Sequence, residues 1–393
     1  MGTNRLNLVY VGLSGFPHGQ AAISRQKLLC KGLILAGAKV LVLCAKAAFR
    51  TPQVISRAGE FEGVPYEYAM NPVRSENFVI RNIKRLLSPI FEFRLIIRIH
   101  RKERITHILV TNNNEILNSI WYALIARLIR AKVVYSLVEL YEAKNAKTCF
   151  KKWNHALFNR FGLRLYHAYL PISSYLSNRF SMIPRKSLYL PIMVNYELIS
   201  TTPIKSSDTK STLFLFCGSA GYPDTIQFCI SAFEQLNTPN AKLILVAGGL
   251  PNEIENVRRK IETSHKSSDI IHRMNLSDAD LYSLYRDANA LLIPLFNTVQ
   301  DQARFPHKLG EYLASGTPVI TNQVGEITAY LKQKESGLFA ETNSVENFAD
   351  MMRFVLEHDE EARSIGRMGQ SICKTHFDFT ELGNRLNGFL KEL

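Results

Sequence analysis

The chain has 393 residues and a formal net charge of +14, with 46% hydrophobic and 21% charged side chains. A single core rarely grows past roughly 250–300 residues, so two domains are expected, and this composition excludes a disordered or collagenous chain. The charge is lopsided: residues 1–199 carry 29 Lys and Arg against 10 Glu and no Asp, a net of +19, while residues 200–393 carry 19 bases against 24 acids.

The basic first half asks for an anionic partner, either a membrane surface or a nucleic acid. Six scattered cysteines (Cys30, Cys44, Cys149, Cys217, Cys229, Cys373) form no CxxC pair, so neither a zinc site nor a disulfide framework is signalled. Reduced thiols in a cytosolic protein are the simplest expectation. No signal-peptide pattern precedes the first strand, and no run of about 18 apolar residues could span a bilayer.

Residues 7–12 (NLVYVG) read as a buried strand, followed by a Gly-containing loop, a helix over 21–36 and a strand over 39–44. That is a βαβ unit, which implies a parallel sheet with ligands at the carboxyl ends of its strands. The loop is no GxGxxG fingerprint, but Gly15 and Gly19 would let a ligand approach the backbone closely. His18 is its one titratable side chain, either a substrate contact or an ordinary surface histidine. Residues 78–104 interleave apolar and basic side chains. Pro89 is expected to split them into two helices, with Ile80, Ile83, Leu87, Phe91, Leu95 and Ile96 as a core face or as an apolar face on anionic lipid. A strand over 105–111, a helix over 116–129 and a strand over 132–138 follow, with Glu139 and Glu142 at the last strand's carboxyl end. Residues 151–166 read as another basic amphipathic helix, and the Ser/Thr-rich segment 199–211 as a linker.

The second half opens a new βα series with the strand Thr212–Cys217 and a loop through Gly218 and Ser219; Gly248 ends the strand after that. Ser277-Asp-Ala-Asp280 looks like a metal-binding triplet, but its place before Leu281, Leu284 and Tyr285 reads as a helix cap. The most informative stretch is residues 304–320, RFPHKLGEYLASGTPVI. Pro306 suits the first helical position, Leu309, Tyr312 and Leu313 recur at helical spacing, and Gly316 with Pro318 gives a stop. Lys308 and Glu311 share one face near the helix N-terminus, where free N–H groups favour an anion. They would offer phosphate and sugar-hydroxyl recognition together; the alternative is an ordinary i,i+3 surface ion pair.

Residues 304–320 resemble the donor-binding motif of family 4 glycosyltransferases, in the form common among bacterial polysaccharide-assembly enzymes. The resemblance implies the GT-B architecture: two doubly wound Rossmann-like α/β domains facing across a cleft. Residues 1–198 would form the acceptor-side domain, 199–211 the linker and 212–375 the nucleotide-sugar domain, with helix 376–393 packing back on the first. It implies a retaining, metal-independent, hexosyltransferase-like enzyme with no cofactor, moving a sugar from a nucleotide-sugar to a glycan or lipid-linked acceptor in cell-surface polysaccharide biosynthesis. Carried over residue by residue, Gly218, Ser219, Gly248, Arg304, Phe305, Pro306, His307, Lys308, Leu309 and Glu311 would bind the donor, and Glu311 its ribose. Gly15 and Gly19 would lie against diphosphate and acceptor, Glu139 and Glu142 on the acceptor side. Lys308, Glu311 and His18 are the candidate catalytic residues. Many relatives carry a second acid where this chain has Ala303, so the sugar would be held by backbone groups and Asp301, or that contact is missing. The basic half would then dock on anionic lipid at the cytosolic face of the membrane. Two rival classes are a nucleic-acid-binding protein, against which no helix-turn-helix or aromatic-basic strand motif occurs, and a sugar-nucleotide epimerase of the same architecture, for which no proton-transfer carboxylate pair can be placed.

Overall fold

A computed structural model describes residues 5–19, 21–50, 55–111, 114–140, 148–205 and 211–393. The chain divides into two compact units, Met1–Met193 with Phe379–Leu393, and Val194–Asp378. The division falls at Met193, ahead of the segment 199–211 expected as linker. The helix Tyr196–Thr201 already belongs to the second unit, and 206–210 lie outside the described residues.

In the first unit, strand β1 (Asn7–Val11), helix α1 (Ala21–Leu35) and strand β2 (Lys39–Cys44) form the expected βαβ unit. They are followed by β3 (Ala58–Phe61), β4 (Val64–Tyr68), α2 (Phe78–Lys102), β5 (His107–Val110), α3 (Ile116–Leu128) and β6 (Lys132–Leu137). Helix α4 (Cys149–Phe161), strand β7 (Ala168–Pro171), helix α5 (Ser174–Arg179) and strand β8 (Lys186–Ser187) complete the run. The sheet runs β3-β4-β2-β1-β5-β6-β7-β8, parallel but for the edge strand β3. Its inner strands are apolar on both faces because helices cover both, as a parallel sheet requires.

Pro89 does not split α2: one helix of 25 residues runs through it. A proline at 89 leaves the Arg85 carbonyl without its helical N–H donor, and the Ser88 hydroxyl supplies the missing bond at 2.9 Å. Nor do Ile80, Ile83, Leu87 and Phe91 reach the core; all four are exposed, and only Leu95 and Ile96 of the expected set are buried.

The second unit opens on α6 (Tyr196–Thr201) and then alternates regularly: β9 (Thr212–Ser219), α7 (Pro223–Glu234), β10 (Ala241–Gly248), α8 (Pro251–Glu262), β11 (Ile270–Arg273), α9 (Asp278–Asp287) and β12 (Ala290–Ile293). A short α10 (Val299–Ala303) leads into α11 (His307–Ser315), β13 (Val319–Asn322), β14 (Leu338–Ala340), α12 (Val345–Glu357) and α13 (Asp359–His376). All six strands are parallel, in the order β11-β10-β9-β12-β13-β14.

The last helix, α14 (Phe379–Lys391), belongs to the first unit, against α1. Two glycines set this crossing: a Cβ on Gly32 would fall 2.4 Å from the Phe379 carbonyl oxygen, and one on Gly383 2.4 Å from the Gly32 carbonyl carbon. Leu382, Leu386 and Leu390 then enter the first unit's core.

Candidate functional site

In an open parallel sheet, the crevice lies where the strand order reverses, outside the carboxyl ends of the two strands at that point. In the second unit the reversal is between β9 and β12. Cys217, Gly218 and Ser219 end β9, and Gly248 ends the neighbouring β10. The Ala220 N–H bonds the Gly248 carbonyl at 2.9 Å, and Ser219 Oγ accepts from the Gly221 N–H at 3.1 Å, so the turn after β9 is held shut beside the β10 end.

Helix α11 delivers its N-terminus to the same region. Pro306 is its N-cap, one residue earlier in the helix scheme than the sequence suggested, with φ −60° and ψ 116°. Gly316 ends it in the left-handed conformation, φ 80°. Leu309, Tyr312 and Leu313 are buried as their spacing predicts. The Tyr312 hydroxyl accepts the Cys217 N–H at 2.8 Å. The end of β9 and the helix that carries Lys308 and Glu311 are thereby fixed to one another.

Glu311 is only 8% exposed. Lys308 Nζ lies 2.7 Å from its Oε2, the Tyr285 hydroxyl donates to the same oxygen at 3.2 Å, and His307 Nε2 is 3.8 Å from Oε1. Burial pushes the Glu311 carboxyl up, but Lys308 and His307 outweigh it, so the group is held below the usual carboxylate range. The reverse holds for Lys308: burial pulls its ammonium down, and Glu311 with the Cys217 thiol raises it above the ordinary lysine value. The result is a charged pair at a helix N-terminus, with the ammonium 5.7 Å from the centre of the Tyr285 ring. Lys308 keeps 30% of its side chain exposed against 10% for Glu311, so the positive end of the pair is the more open to a ligand.

Tyr285 was not singled out as a site residue, because on α9 it reads as one more apolar position at helical spacing. It carries Glu311 through its hydroxyl and packs edge-on against Tyr312 at 4.9 Å. The sequence held no signal for this; it depends on α9 lying beside α11.

The remaining donor-side candidates divide by what their side chains do. Arg304 pairs with Asp301 at 2.6 Å and lies over the Tyr222 ring at 5.3 Å. Phe305 is buried against Tyr330 and Phe377, and Leu309 is fully buried with its N–H bonded to the Pro306 carbonyl at 3.0 Å, so neither side chain is open to a ligand. Asp301 is not open to a sugar: it is buried, accepts the Phe296 N–H at 2.9 Å and pairs with Arg304. The triplet at 278–280 is a cap, with Ser277 Oγ accepting the Asp280 N–H and Asp280 engaged by Lys205.

In the first unit the strand order reverses between β1 and β5. Gly12, not singled out from the sequence, follows β1 at φ 97°, and a Cβ there would sit 2.1 Å from the Thr111 carbonyl oxygen. Gly15 has φ 117°, so it too needs glycine, whereas a Cβ on Gly19 would meet the Ile23 side chain. His18 is exposed and stands edge-on to the Phe61 ring at 5.2 Å. Glu139 is half-buried, its carbonyl accepting from Asn114 Nδ2 at 2.8 Å. Glu142 lies outside the described residues.

Residues 201–371 match the family model of glycosyl transferases group 1. No curated protein matches the chain. Among solved structures, the chain is similar to the sucrose-phosphate synthase of Thermosynechococcus elongatus, with a TM-score of 0.79 at 16% identity over 99% of both chains. It is also similar to the Anabaena protein HepE in complex with UDP-glucose, with a TM-score of 0.73 at 12% identity over 99% of this chain and 100% of that one. An α,α-trehalose-phosphate synthase of Burkholderia xenovorans in complex with glucose-6-phosphate gives 0.72 at 10% identity, over 98% and 100%. These likenesses establish the fold, GT-B, for the whole chain.

Proposed function

We propose that this chain, a glycosyltransferase with a group 1 domain in its second unit, takes its sugar from a nucleotide-sugar bound at the β9/β12 crevice and transfers it with retention and without a metal. The observation that carries this reading is the Lys308–Glu311 pair at the start of α11, a helix tied to the end of β9 through Tyr312 and to α9 through Tyr285. A nucleoside diphosphate needs an anion site and a hydroxyl acceptor a few ångströms apart, and one helical turn supplies both. Glu311 would accept from the ribose hydroxyls. Lys308 and the first N–H groups of α11 would meet the diphosphate, where negative charge grows as the glycosidic bond breaks. A protein of the same fold was solved in complex with UDP-glucose, which supports a nucleotide-sugar as the donor.

Metal independence is supported by the occupations of two acids on or beside α11: Asp301 is held by Arg304 and a backbone N–H, and Glu311 by Lys308. The acceptor would be a glycan or lipid-linked sugar of a cell-surface polysaccharide, met by the first unit through the loops after β1 and β6. The protein would work on the cytosolic face of an anionic membrane, to which the +19 of residues 1–199 would attract it. A thermal-shift panel of UDP, GDP, ADP and their sugars tests the core of this reading. A ligand at ~100 times its dissociation constant stabilises by roughly 2.7 kcal/mol, so one nucleotide series should raise the melting temperature clearly. Indifference to every nucleotide would remove the reading.

A further inference from the structure

Helix α2 turns its apolar stripe away from the protein. Its buried residues are Ser88, Glu92, Leu95 and Ile96, and they define the side that packs. At about 100° per residue, Val79, Ile83, Leu86, Leu87 and Ile90 fall on the opposite arc. All five are exposed, Leu86 at 78%. Phe78 to Leu87 have no buried residue at all, so the first turns of α2 project as a helix without a packed side. The projection is nonetheless a built helix, since Asn77 Oδ1 caps it by accepting the Val79 and Ile80 N–H groups. Its root is firm: the Tyr122 hydroxyl donates to Glu92 at 3.0 Å, Phe93 packs on Trp121 at 6.1 Å, and Arg98 pairs with Glu67.

The outward arc changes character along its length. After Ile90 it passes to Arg94, Arg98 and Arg101, all exposed. The reverse face of the projecting part carries Arg81, Lys84 and Arg85, also exposed, and the helix's one acid, Glu92, is buried. An aliphatic arc backed by bases and passing into a basic end, with no exposed acid, matches a single environment, the boundary between acyl chains and anionic headgroups. An acidic protein partner would complement the bases but would leave the aliphatic arc unmatched. Among the described residues no helix is long and apolar enough to cross a membrane, so an anchor built from them must lie in the interface.

We propose that α2 is a tilted interfacial anchor. Its N-terminal turns, with Ile83, Leu86, Leu87 and Ile90, enter the acyl region of an anionic bilayer, while Arg94 and Arg101 stop at the headgroup phosphates. This rests on the membrane reading above and adds to it a mode of holding, by insertion as well as by charge, and an orientation of the helix. Helix α3, which meets α2 through Tyr122 and Trp121, has an exposed stripe of Leu117, Ile120, Leu124 and Leu128 that would extend the contact.

The test uses the full chain with vesicles of phosphatidylcholine mixed with phosphatidylglycerol. The variant Ile83→Ser/Leu87→Ser/Ile90→Ser keeps every charge and should lose about ten-fold or more of the vesicle affinity, leaving only a weak, salt-sensitive remainder. Its fold is checked by circular dichroism and by an unchanged nucleotide response of the second unit. Two single variants then report depth with acyl-brominated lipid. Ile83→Trp should be quenched strongly and Arg94→Trp weakly, each taken as the increment over a parent that already contains Trp121 and Trp153. If the triple Ser variant binds like the parent and both tryptophans quench alike, insertion is overturned while charge-driven docking stands. If the parent ignores anionic vesicles altogether, the membrane reading and the anchor fall together, and the nucleotide reading is untouched. If instead the parent dimerises without binding lipid and the triple variant is monomeric, the arc is the interface for a second copy and the anchor is overturned.

Discussion

Glu311 is where site and stability meet, and replacing it should register in both. Glu311→Gln removes the charge but keeps an oxygen where the Tyr285 hydroxyl can still donate, whereas Glu311→Ala removes both. Breaking a fully buried ion pair costs about 3–5 kcal/mol, because the abandoned partner stays charged and desolvated. Lys308 retains 30% exposure and can turn to water, so about 1–3 kcal/mol is the fitting range for Ala, with less for Gln. An ordinary i,i+3 surface pair, the alternative reading of the sequence, would cost almost nothing. The binding loss is separate: charge-assisted bonds to ribose hydroxyls contribute about 1.5–3 kcal/mol, or roughly 10- to 150-fold in dissociation constant. Calorimetry with the preferred nucleoside diphosphate and its 2′,3′-dideoxy analogue isolates that part. Glu311→Gln, whose remaining oxygen can still accept a neutral bond, should weaken the ribonucleotide by part of that factor and the dideoxy analogue hardly at all. An equal loss for both would show that Glu311 acts only by holding Lys308, and the ribose assignment would be refuted.

Lys308→Ala should lower kcat more than it raises KM, by about 10²–10³, because the diphosphate gains charge mainly in the transition state; steady-state kinetics at saturating donor checks this, and normal turnover would leave Lys308 a structural partner. Turnover should persist in EDTA, and NMR of early product should show the donor's anomeric configuration retained; restoration by magnesium or manganese after chelation, or inversion, would reject the corresponding half of the mechanism. Burial pushes the Glu92 carboxyl up to about 7 against the Tyr122 bond, so the folded chain holds a proton that the unfolded chain releases, and stability should fall by ~3 kcal/mol as pH rises from about 4.5 to about 7, then level off. Glu92→Gln should therefore melt higher than the parent above about pH 7 and equal to it below about pH 4.5, an ordering that thermal melts across the pH range would confirm or reverse.

The motif at 304–320 was legible because local chemistry and tertiary demand agree there. Leu309, Tyr312 and Leu313 recur at the spacing of a helix face, and that face is the one α11 buries. Gly316 stops the helix in the sequence pattern and in the backbone alike. The charges at 308 and 311 had to share a surface once the helix existed. What spacing could not give was the third partner of each group. Tyr285 comes from α9, with a strand and a short helix between it and α11, and Asp301 is held by the Phe296 N–H, a backbone partner that no side-chain pattern shows, as well as by Arg304.

Helix α2 shows the opposite case, and the reason is physical. Periodicity reports that one face of a helix is apolar; it does not report what covers that face. Both a core and a bilayer select the same side chains, so Ile83, Leu87 and Phe91 fit either environment equally well in the sequence. The residues that decided the matter were ones a pattern search passes over. Ser88 and Glu92, polar and buried, mark the packed side, with Ser88 closing the carbonyl that Pro89 leaves open and Glu92 taking the Tyr122 hydroxyl. With the packed side fixed there, the aliphatic arc is forced outward, and the helix's bases back it along the projecting turns and continue it at the far end. A core helix with this composition would have to bury Arg94; a helix on the protein's surface leaves it exposed to whatever anion it meets, while Arg98 pairs with Glu67.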